Sequence, residues 1–137
     1  MKVRMEMRKN IKRIALFLFV FSMLLAACDL SQIRIGWAGS STNNSVSYNY
    51  TRFSGSEVKR ISLSEGDRLE LDYDIEVEKG DFRVCVLDPD NSIVFEETFM
   101  EDAAGKGGCV ASLNGKYQLL LEGQDTGGGF DISWHIN

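Results

Sequence analysis

Apolar and acidic residues alternate strictly between residues 69 and 78. The apolar set is Leu69, Leu71, Tyr73, Ile75 and Val77. The acidic set is Glu70, Asp72, Asp74, Glu76 and Glu78. Successive side chains of a β-strand point to opposite faces, so a strand separates these two sets, whereas a helix would mix them. The pattern therefore predicts a strand with one packed face and one solvated face.

The same period of two recurs along the chain from residue 46 onwards. Further alternating or apolar segments are 46–51, 58–63, 82–86, 93–99, 109–113, 116–122 and 130–136. Turn-forming sequences separate them, namely 64–67, Lys79-Gly80, Asp88-Pro89-Asp90-Asn91, the glycine-rich loop 103–108, Asn114-Gly115 and Gly127-Gly128-Gly129. Asn-Gly is a strong signal for a hairpin, and Pro, Asp and Asn favour turns for reasons of backbone geometry and local hydrogen bonding. Seven or eight short strands without a helical period predict an all-β fold, an antiparallel β-sandwich of jelly-roll type over residues 46–137.

Residues 28–45 differ in composition from the predicted strands. Ser, Gly, Thr and Asn dominate, above all in 39–45, and such sequences are typical of flexible linkers. We therefore predict a linker over 28–45. Ile33, Ile35 and Trp37 alternate with polar residues, so a short strand at that point is the alternative.

The first 27 residues are predicted to be a signal peptide. Met1–Arg13 contains six basic side chains and one acidic one, and the following run Ile14–Ala27 is apolar except for Ser22. This run has 14 residues, fewer than the ~20 that a membrane-spanning helix needs. Its length and its basic flank are those of the apolar region of a signal peptide.

The apolar run ends in Leu25-Ala26-Ala27-Cys28, which resembles the lipobox of bacterial lipoproteins. The resemblance implies that the chain is cleaved before Cys28 and that the thiol of Cys28 carries two acyl chains. Two or more chains anchor a protein stably, whereas one holds it only marginally. The resemblance thus implies a protein on the extracytoplasmic face of a bacterial cell membrane. An ordinary secretory signal followed by an incidental cysteine is the alternative.

The charge of the remaining chain limits its partners. Residues 28–137 contain 9 basic and 19 acidic side chains, so removal of the first 27 residues changes the net charge from −5 to −10. Nucleic-acid binding needs basic side chains that displace phosphate counterions. Because acidic side chains predominate, we expect this chain not to bind nucleic acid. His135 is the single histidine, which excludes most histidine triads and histidine-rich metal sites. The sequence contains no nucleophile elbow, phosphate loop or zinc spacing, and we expect no cofactor, no metal and no catalysis.

The acidic row at positions 70, 72, 74, 76 and 78 is the first candidate site. It could bind a cation or a basic partner, or it could be a solvated face whose charge opposes edge-to-edge aggregation. Calcium requires ~6–8 oxygen ligands at about 2.3–2.6 Å. Same-face neighbours on a strand lie about 6.6–7 Å apart, so a straight row does not converge on one ion. We favour the solvated face.

Two cysteines, Cys85 and Cys109, form the second candidate site. An even pair outside the cytoplasm permits a disulfide. It would close a loop of about 25 residues and stabilise the fold by about 3–4 kcal/mol in the chain-entropy model. We expect the bridge, and two separate buried thiols are the alternative. Among the aromatic residues, Trp37, Tyr48 and Tyr50 are the least committed to a core and are candidates for a sugar or peptide platform.

Several short sequence segments of the predicted domain resemble those of a group of small bacterial lipoproteins. The segments are 66–74, 79–84, 87–90, 114–119 and the C-terminal Gly-Phe-Asp-Ile-Ser-Trp of 129–134. The layout is similar to the jelly-roll sandwiches of bacterial pre-peptidase C-terminal domains and, more distantly, of GOLD domains. The resemblance implies a membrane-anchored, non-catalytic accessory or binding module of the cell envelope, with a protein or carbohydrate ligand. The alternative is a structural or stress-related envelope protein whose acidic face handles cations.

Overall fold

The computed structural model describes residues 10–12 and 32–137. The chain divides into two compact units, Met1–Ser31 and Gln32–Asn137. Of the first unit, only Asn10–Lys12 are described, and they are helical. No helix within the described residues has the length and apolar character needed to cross a membrane. The predicted signal peptide and Cys28 lie outside the described residues.

The unit Gln32–Asn137 is a single antiparallel sheet of seven strands, which confirms the predicted all-β fold. The strands are β1 (Ile33–Ile35), β2 (Ala38–Ser41), β3 (Ser45–Leu63), β4 (Arg68–Leu87), β5 (Ile93–Phe99), β6 (Ala103–Val110) and β7 (Gly115–Ile136). Their order is β1-β3-β7-β4-β5, and in addition β2 pairs with β3 and β6 pairs with β4.

Strands β3, β4 and β7 are each about 20 residues long and take part in two layers. Residues 68–75 of β4 pair with β6, whereas residues 82–87 pair with β5. The first layer therefore consists of β2, β6 and one end of each long strand, and the second layer consists of β1, β5 and the other ends. Phe82 of the second layer stacks on Phe130 of the first, with ring centroids 4.9 Å apart. The sheet thus folds over on itself, and its two layers enclose the core of a β-sandwich.

The fold-over occurs along one line, the bend, where the pairing register of the long strands shifts. The shifts lie between Tyr50 and Gly55 in β3 and between Val77 and Asp81 in β4. Gly80 has φ = 68° and packs directly against the carbonyl oxygens of Gln124 and Asp125 of β7. A bulge of this kind bends a strand and increases its twist, and glycine adopts the required backbone conformation without a steric penalty.

Turn-forming sequences at the bend proved to be parts of strands. The predicted turns at Lys79-Gly80 and Gly127-Gly128-Gly129 are wrong, because β4 and β7 continue through them. The predicted loop 103–108 is also wrong, because these residues belong to β6. Its glycines leave room for aromatic rings, since Tyr73 covers Gly105 and Phe95 covers Gly107.

Two further turn predictions had different outcomes. The turn that begins at Asp88 is confirmed, because the carboxylate oxygen of Asp88 accepts hydrogen bonds from the N–H groups of Asp90 and Ser92, both at 2.9 Å. The hairpin at Asn114-Gly115 is wrong, because β6 pairs with β4 whereas β7 pairs with β3 and β4. Asn114 instead lies in the connection from β6 in the first layer to the start of β7 in the second. Its side-chain oxygen accepts a hydrogen bond from the N–H of Glu65 at 2.6 Å, which fixes this connection.

The predicted linker contains two strands. β1 pairs with residues 52–54 and β2 pairs with residues 46–49, and the side chain of Trp37 between them stacks on Tyr48 at 4.5 Å. The folded unit therefore begins at Gln32, so the boundary predicted at residue 46 is too late. Short edge strands need few apolar side chains, because backbone pairing on one side supplies most of their contacts. That is why the Gly- and Ser-rich sequence of β2 forms a strand, whereas β1 is the Ile-Arg-Ile segment at which a short strand was the alternative.

The core lies between the two layers and follows the predicted alternation. Leu69, Leu71 and Ile75 are at most 1% exposed, and Val77 is also buried, while Tyr73 is half-buried. The other fully buried large side chains are Val46, Phe53, Phe82, Val84, Val86, Tyr117, Leu119, Leu121 and Ile132.

We predict that Gly80→Ala destabilises the protein more than Gly66→Ala. Both glycines have positive φ, 68° and 92°, which costs an L-residue about 1–2 kcal/mol. An added Cβ at Gly66 meets open space, whereas at Gly80 it collides with two backbone carbonyls. Urea unfolding of both variants measures the difference in the free energy of unfolding. Equal losses would show that the bend does not require this close approach.

Candidate ligand-binding face

The outer side of the first layer is covered by polar side chains, and we call it the polar face. These residues alternate with inward-facing residues on four strands of the layer, β3, β4, β6 and β7. The polar face consists of Ser45, Ser47 and Asn49 of β3, Glu70, Asp72, Asp74 and Glu76 of β4, Lys106 of β6, and Asp131, Ser133 and His135 of β7.

Strand pairing arranges the polar face in rows across the strands. Lys106, Asp72, Ser133 and Ser45 form one row, because each is the direct register partner of the next. The row beside it contains Ala104, Asp74, Asp131 and Ser47. Directly opposed side chains on one face of a sheet have Cβ atoms about 4.5–5.5 Å apart. The polar face therefore presents hydroxyl and carboxylate groups at fixed spacing on central strands.

One end of the acidic row is partly neutralised. His135 Nε2 lies 2.6 Å from Glu70 Oε2, and His135 Nδ1 lies 3.9 Å from Asp72 Oδ2. Lys106 Nζ lies 3.3 Å from Asp72 Oδ1. The side chains of Glu70, Asp72 and His135 are 41–49% exposed, so solvent screens these pairs and they contribute little to stability.

The centre of the polar face remains negative. Asp74 lies directly opposite Asp131, and like charges in this position repel each other. Within residues 32–137, none of the salt bridges involves Asp74, Glu76 or Asp131. These carboxylates therefore keep their hydrogen-bonding capacity for groups outside the protein.

Two details of the predicted acidic row need correction. Glu78 does not continue the row, because it lies at the register shift between Val77 and Lys79, at the bend. The row also does not protect a sheet edge, because β4 is flanked by β7 on one side and by β6 or β5 on the other. Glu70, Asp72, Asp74 and Glu76 thus lie on a solvated face in the middle of the sheet.

An open cleft of about 520 Å³ adjoins the polar face at β6. It is lined by Arg68, Leu69, Glu70, Lys106, Gly107, Gly108, Cys109 and Val110. Gly108 is the register partner of Glu70 on β6 and carries no side chain, so the space on the β6 side of Glu70 stays open. The cleft combines a carboxylate, an ammonium and a guanidinium group with the exposed apolar side chain of Val110. Small-molecule sites typically combine an apolar wall with a few polar groups in this way.

The acidic residues do not converge on a metal site. In the part of the chain that the structure describes, no group of three or more His, Cys, Asp or Glu side chains is arranged to hold an ion.

The disulfide predicted between Cys85 and Cys109 is absent, because both thiols are free. Cys85 lies on the outer side of the second layer, where the guanidinium of Arg83 is 3.6 Å from its sulfur. Cys109 pairs with Leu69 in the first layer and packs against the core. Burial raises the pKa of both thiols, and in Cys85 the charge of Arg83 only partly opposes this effect. Neither thiol is therefore activated as a nucleophile.

The aromatic residues considered for a ligand platform pack against each other instead. Trp37 stacks on Tyr48 and Tyr50, with ring centroids 4.5 and 5.5 Å away, and the guanidinium of Arg34 lies 4.5 Å above the Trp37 ring. Burial raises the pKa of Tyr50 to about 12. The aromatic side chains in residues 32–137 are buried or half-buried, and none of them belongs to the polar face. Ligand binding on the polar face would therefore use hydrogen bonds rather than stacking.

Sequence reasoning missed the contributions of Lys106, Gly108 and Ser45 to the polar face. Lys106 and Gly108 lie in a segment that resembles a loop, and Ser45 lies in the predicted linker. Their positions depend on long-range pairing with β4 and β7, which local patterns do not reveal. The sequence pattern does predict the polar side of the last strand. Asp131, Ser133 and His135 alternate there with the apolar residues Phe130, Ile132 and Trp134.

Comparison with solved structures supports the fold. Neither a protein-family model nor a curated protein matches the sequence. The structure of a family 4 carbohydrate-binding module, CBM4, matches with a TM-score of 0.53 and 9% sequence identity over 77% of this chain and 77% of that one. TmCBM61, solved in complex with β-1,4-galactotriose, matches with a TM-score of 0.41 and 13% identity over 74% and 66% of the two chains. The likeness to CBM4 supports an antiparallel β-sandwich.

We predict that calcium does not stabilise the protein. The carboxylates of β4 do not converge, so millimolar calcium should raise the melting temperature no more than sodium at equal ionic strength. Replacement of Asp72, Asp74 and Glu76 by Thr should preserve the fold, because it removes mutual repulsion on a solvated face. Thermal melts of both proteins with calcium and with a chelator measure this. A calcium-dependent rise of several degrees in the wild type, lost in the variant, would identify the row as a cation site.

Proposed function

We propose that the chain is a non-catalytic binding module of the bacterial cell envelope, anchored through lipid on Cys28, and that its polar face binds the ligand. The observation that carries the proposal is the arrangement of the polar face. Its carboxylate, hydroxyl, amide and imidazole groups lie in register on the central strands β3, β4 and β7, and the ammonium group of Lys106 lies beside them on β6. Within residues 32–137, the carboxylates of Asp74, Glu76 and Asp131 take part in no salt bridge.

A carbohydrate is the ligand class that this chemistry fits best. Sugar hydroxyls donate hydrogen bonds to carboxylates such as Asp74 and Asp131 and accept them from Lys106 and His135. Several such groups at fixed spacing can contact one saccharide unit after another along a row. The cleft beside Gly108 provides a concave end with an apolar wall at Val110. The sandwich fold shared with the carbohydrate-binding module CBM4 is compatible with this assignment.

Binding without catalysis is supported by the surroundings of the reactive groups. Both thiols have a raised pKa because they are buried. His135 is exposed and paired with Glu70, without a nucleophilic side chain beside it among the hydrogen bonds of residues 32–137. A general base needs a substrate group or a nucleophile within hydrogen-bond reach.

Lipidation of Cys28 would hold the folded unit close to the membrane. Four peptide steps separate Cys28 from Gln32, the first residue of the compact unit. Each step spans at most about 3.3–3.6 Å, so the Cα atoms of these residues are at most about 14 Å apart. A module with so short a connection would bind ligands close to the membrane surface.

Substitution of Cys28 tests the anchor. Cys28→Ser should leave the protein soluble or uncleaved and remove its label in cells fed a radioactive fatty acid, because the serine cannot form the thioether. Cys109→Ser is the matched control and should remain lipidated in the membrane fraction. Undiminished labelling of Cys28→Ser would refute the lipid anchor. It would not bear on ligand binding by the polar face, which has its own assay.

A binding assay with envelope polysaccharides tests the ligand face. The full chain in detergent should be retained on immobilised polysaccharide, and Asp131→Arg should weaken retention at least tenfold, because a long cationic side chain replaces a central acceptor. Gln118→Arg places the same side chain on the outer side of the second layer and should bind like the wild type. Failure of the wild type to bind any envelope polysaccharide, or equal loss in both variants, would contradict the assignment.

A further inference from the structure

The cleft beside Gly108 is lined by an arginine that has no acidic partner. Arg68 lies on the same side of the first layer as Glu70, because side chains two positions apart on a strand share a face. Within residues 32–137, none of the salt bridges involves Arg68. The backbone N–H and carbonyl of Arg68 both pair with Asn137 at 2.9 Å, so regular strand pairing fixes the base of this side chain.

The acidic groups nearest to the cleft are engaged elsewhere. Glu70 is the only acid among the eight residues that line the cleft, whereas Arg68 and Lys106 are both cations. Glu70 Oε2 lies 2.6 Å from His135 Nε2 on β7, which flanks β4 on the side away from β6. Asp72, the next acid along β4, lies 3.3 Å from Lys106 Nζ. Positive charge therefore predominates in the cleft, in contrast to the centre of the polar face.

The size and the lining of the cleft fit an acidic sugar. Its volume of about 520 Å³ falls within the range of about 300–1,000 Å³ that is typical of small-molecule sites. Val110, the register partner of Arg68, is 58% exposed and offers an apolar surface to the C–H groups of a sugar ring. The guanidinium of an arginine has parallel N–H donors that match two oxygens of a carboxylate or phosphate. A sugar hydroxyl has one oxygen, so a charged group uses this arginine more fully.

The negative centre of the polar face limits where a ligand can carry charge. Asp74 lies four residues beyond Glu70 on β4, which is roughly 13 Å along the strand. This distance exceeds the Debye length of about 8 Å at physiological ionic strength, so solvent ions screen an anion in the cleft from the central carboxylates. An acidic sugar over Asp74 and Asp131 would instead lie directly against two negative charges. The polar face therefore accepts one acidic group at the cleft and disfavours charge repeated along the ligand.

We infer that the cleft beside Gly108 binds the acidic group of a sugar. The ligand of the polar face is then a saccharide with a carboxylate or a phosphate on the unit at the β6 end and with neutral units elsewhere. Arg68 binds the acidic group, Val110 contacts the ring of the same unit, and the central carboxylates accept hydrogen bonds from the hydroxyls of the neutral units. This inference rests on the proposed function, since it names the ligand class of the same face.

Chemical treatment of the polysaccharide tests for the acidic group. Envelope polysaccharide is immobilised in three forms, which are untreated, with its carboxylates reduced to alcohols, and with its phosphate monoesters removed by a phosphatase. The full chain in detergent should bind one of the treated forms at least tenfold more weakly than the untreated form. The form that loses binding identifies the acidic group as a carboxylate or a phosphate. Equal binding to all three forms would overturn the inference.

Substitution of Arg68 tests whether the cleft binds this group. Arg68→Gln removes the charge but keeps a long polar side chain, so it should bind untreated polysaccharide at least tenfold more weakly and lose nothing further on the treated form. Arg60→Gln removes an exposed arginine from the outer side of the second layer and should bind every form like the wild type. Circular dichroism and thermal melts verify that each variant is folded. An Arg68→Gln variant that binds like the wild type, or that stays sensitive to the treatment, would contradict the assignment.

A second pair of variants separates this inference from the proposed function. Val110→Asp adds a negative charge beside the acidic group and should weaken binding to untreated polysaccharide, whereas Val58→Asp on the outer side of the second layer should not. If Arg68→Gln and Val110→Asp bind normally while Asp131→Arg still weakens retention, the polar face binds a neutral saccharide and the inference alone is wrong. A wild type that binds none of the three forms would overturn the inference together with the proposed function.

Discussion

The whole molecule depends on the line at which β3, β4 and β7 bend together. Each of these strands contributes to both layers, so a single fold line converts one sheet into a sandwich without an additional connection. The bend is possible because register shifts and glycines coincide there. Gly80 and Gly128 both approach carbonyl oxygens of a neighbouring strand so closely that a side chain would not fit. A continuous ladder of regular pairs would hold the strands straighter and leave half of the apolar residues without a covering layer.

The fold line also determines which outer face is available for binding. Alternation along β4 places Leu69, Leu71 and Ile75 in the core, and the same alternation places Glu70, Asp72 and Asp74 outside. Beyond the bend, the outer residues of the same strand are Arg83 and Cys85, which Glu96 and Glu122 surround. The hydrogen bond to Glu122 raises the pKa of Arg83, and this cluster occupies the second outer face with internal contacts. The first outer face is the one whose central carboxylates remain unpaired within residues 32–137.

Local patterns predicted the fold class and the faces of individual residues, but not the path of the chain. The alternation of residues 69–77 gave the correct inward and outward sets, because it depends only on the period of a strand. Gly80 and Gly127–Gly129 resembled turns, because glycine marks a bulge and a turn equally in sequence. Cys85 and Cys109 satisfied the spacing for a bridge, yet they point to different sides of different layers. Such errors arise wherever the answer depends on which strands pair, and that information is distributed over distant residues.

The relative size of two effects explains how the molecule carries a negative face. Two carboxylates about 6.6–7 Å apart on a strand repel each other by roughly 0.6 kcal/mol in water. Burial of one Leu or Ile side chain stabilises the folded state by about 1.5–3 kcal/mol, and β4 alone buries several. Repulsion among Asp72, Asp74 and Glu76 is therefore small beside the core that the same strand builds. Because the fold does not depend on what these outer positions contain, their hydrogen-bonding groups are available to a ligand.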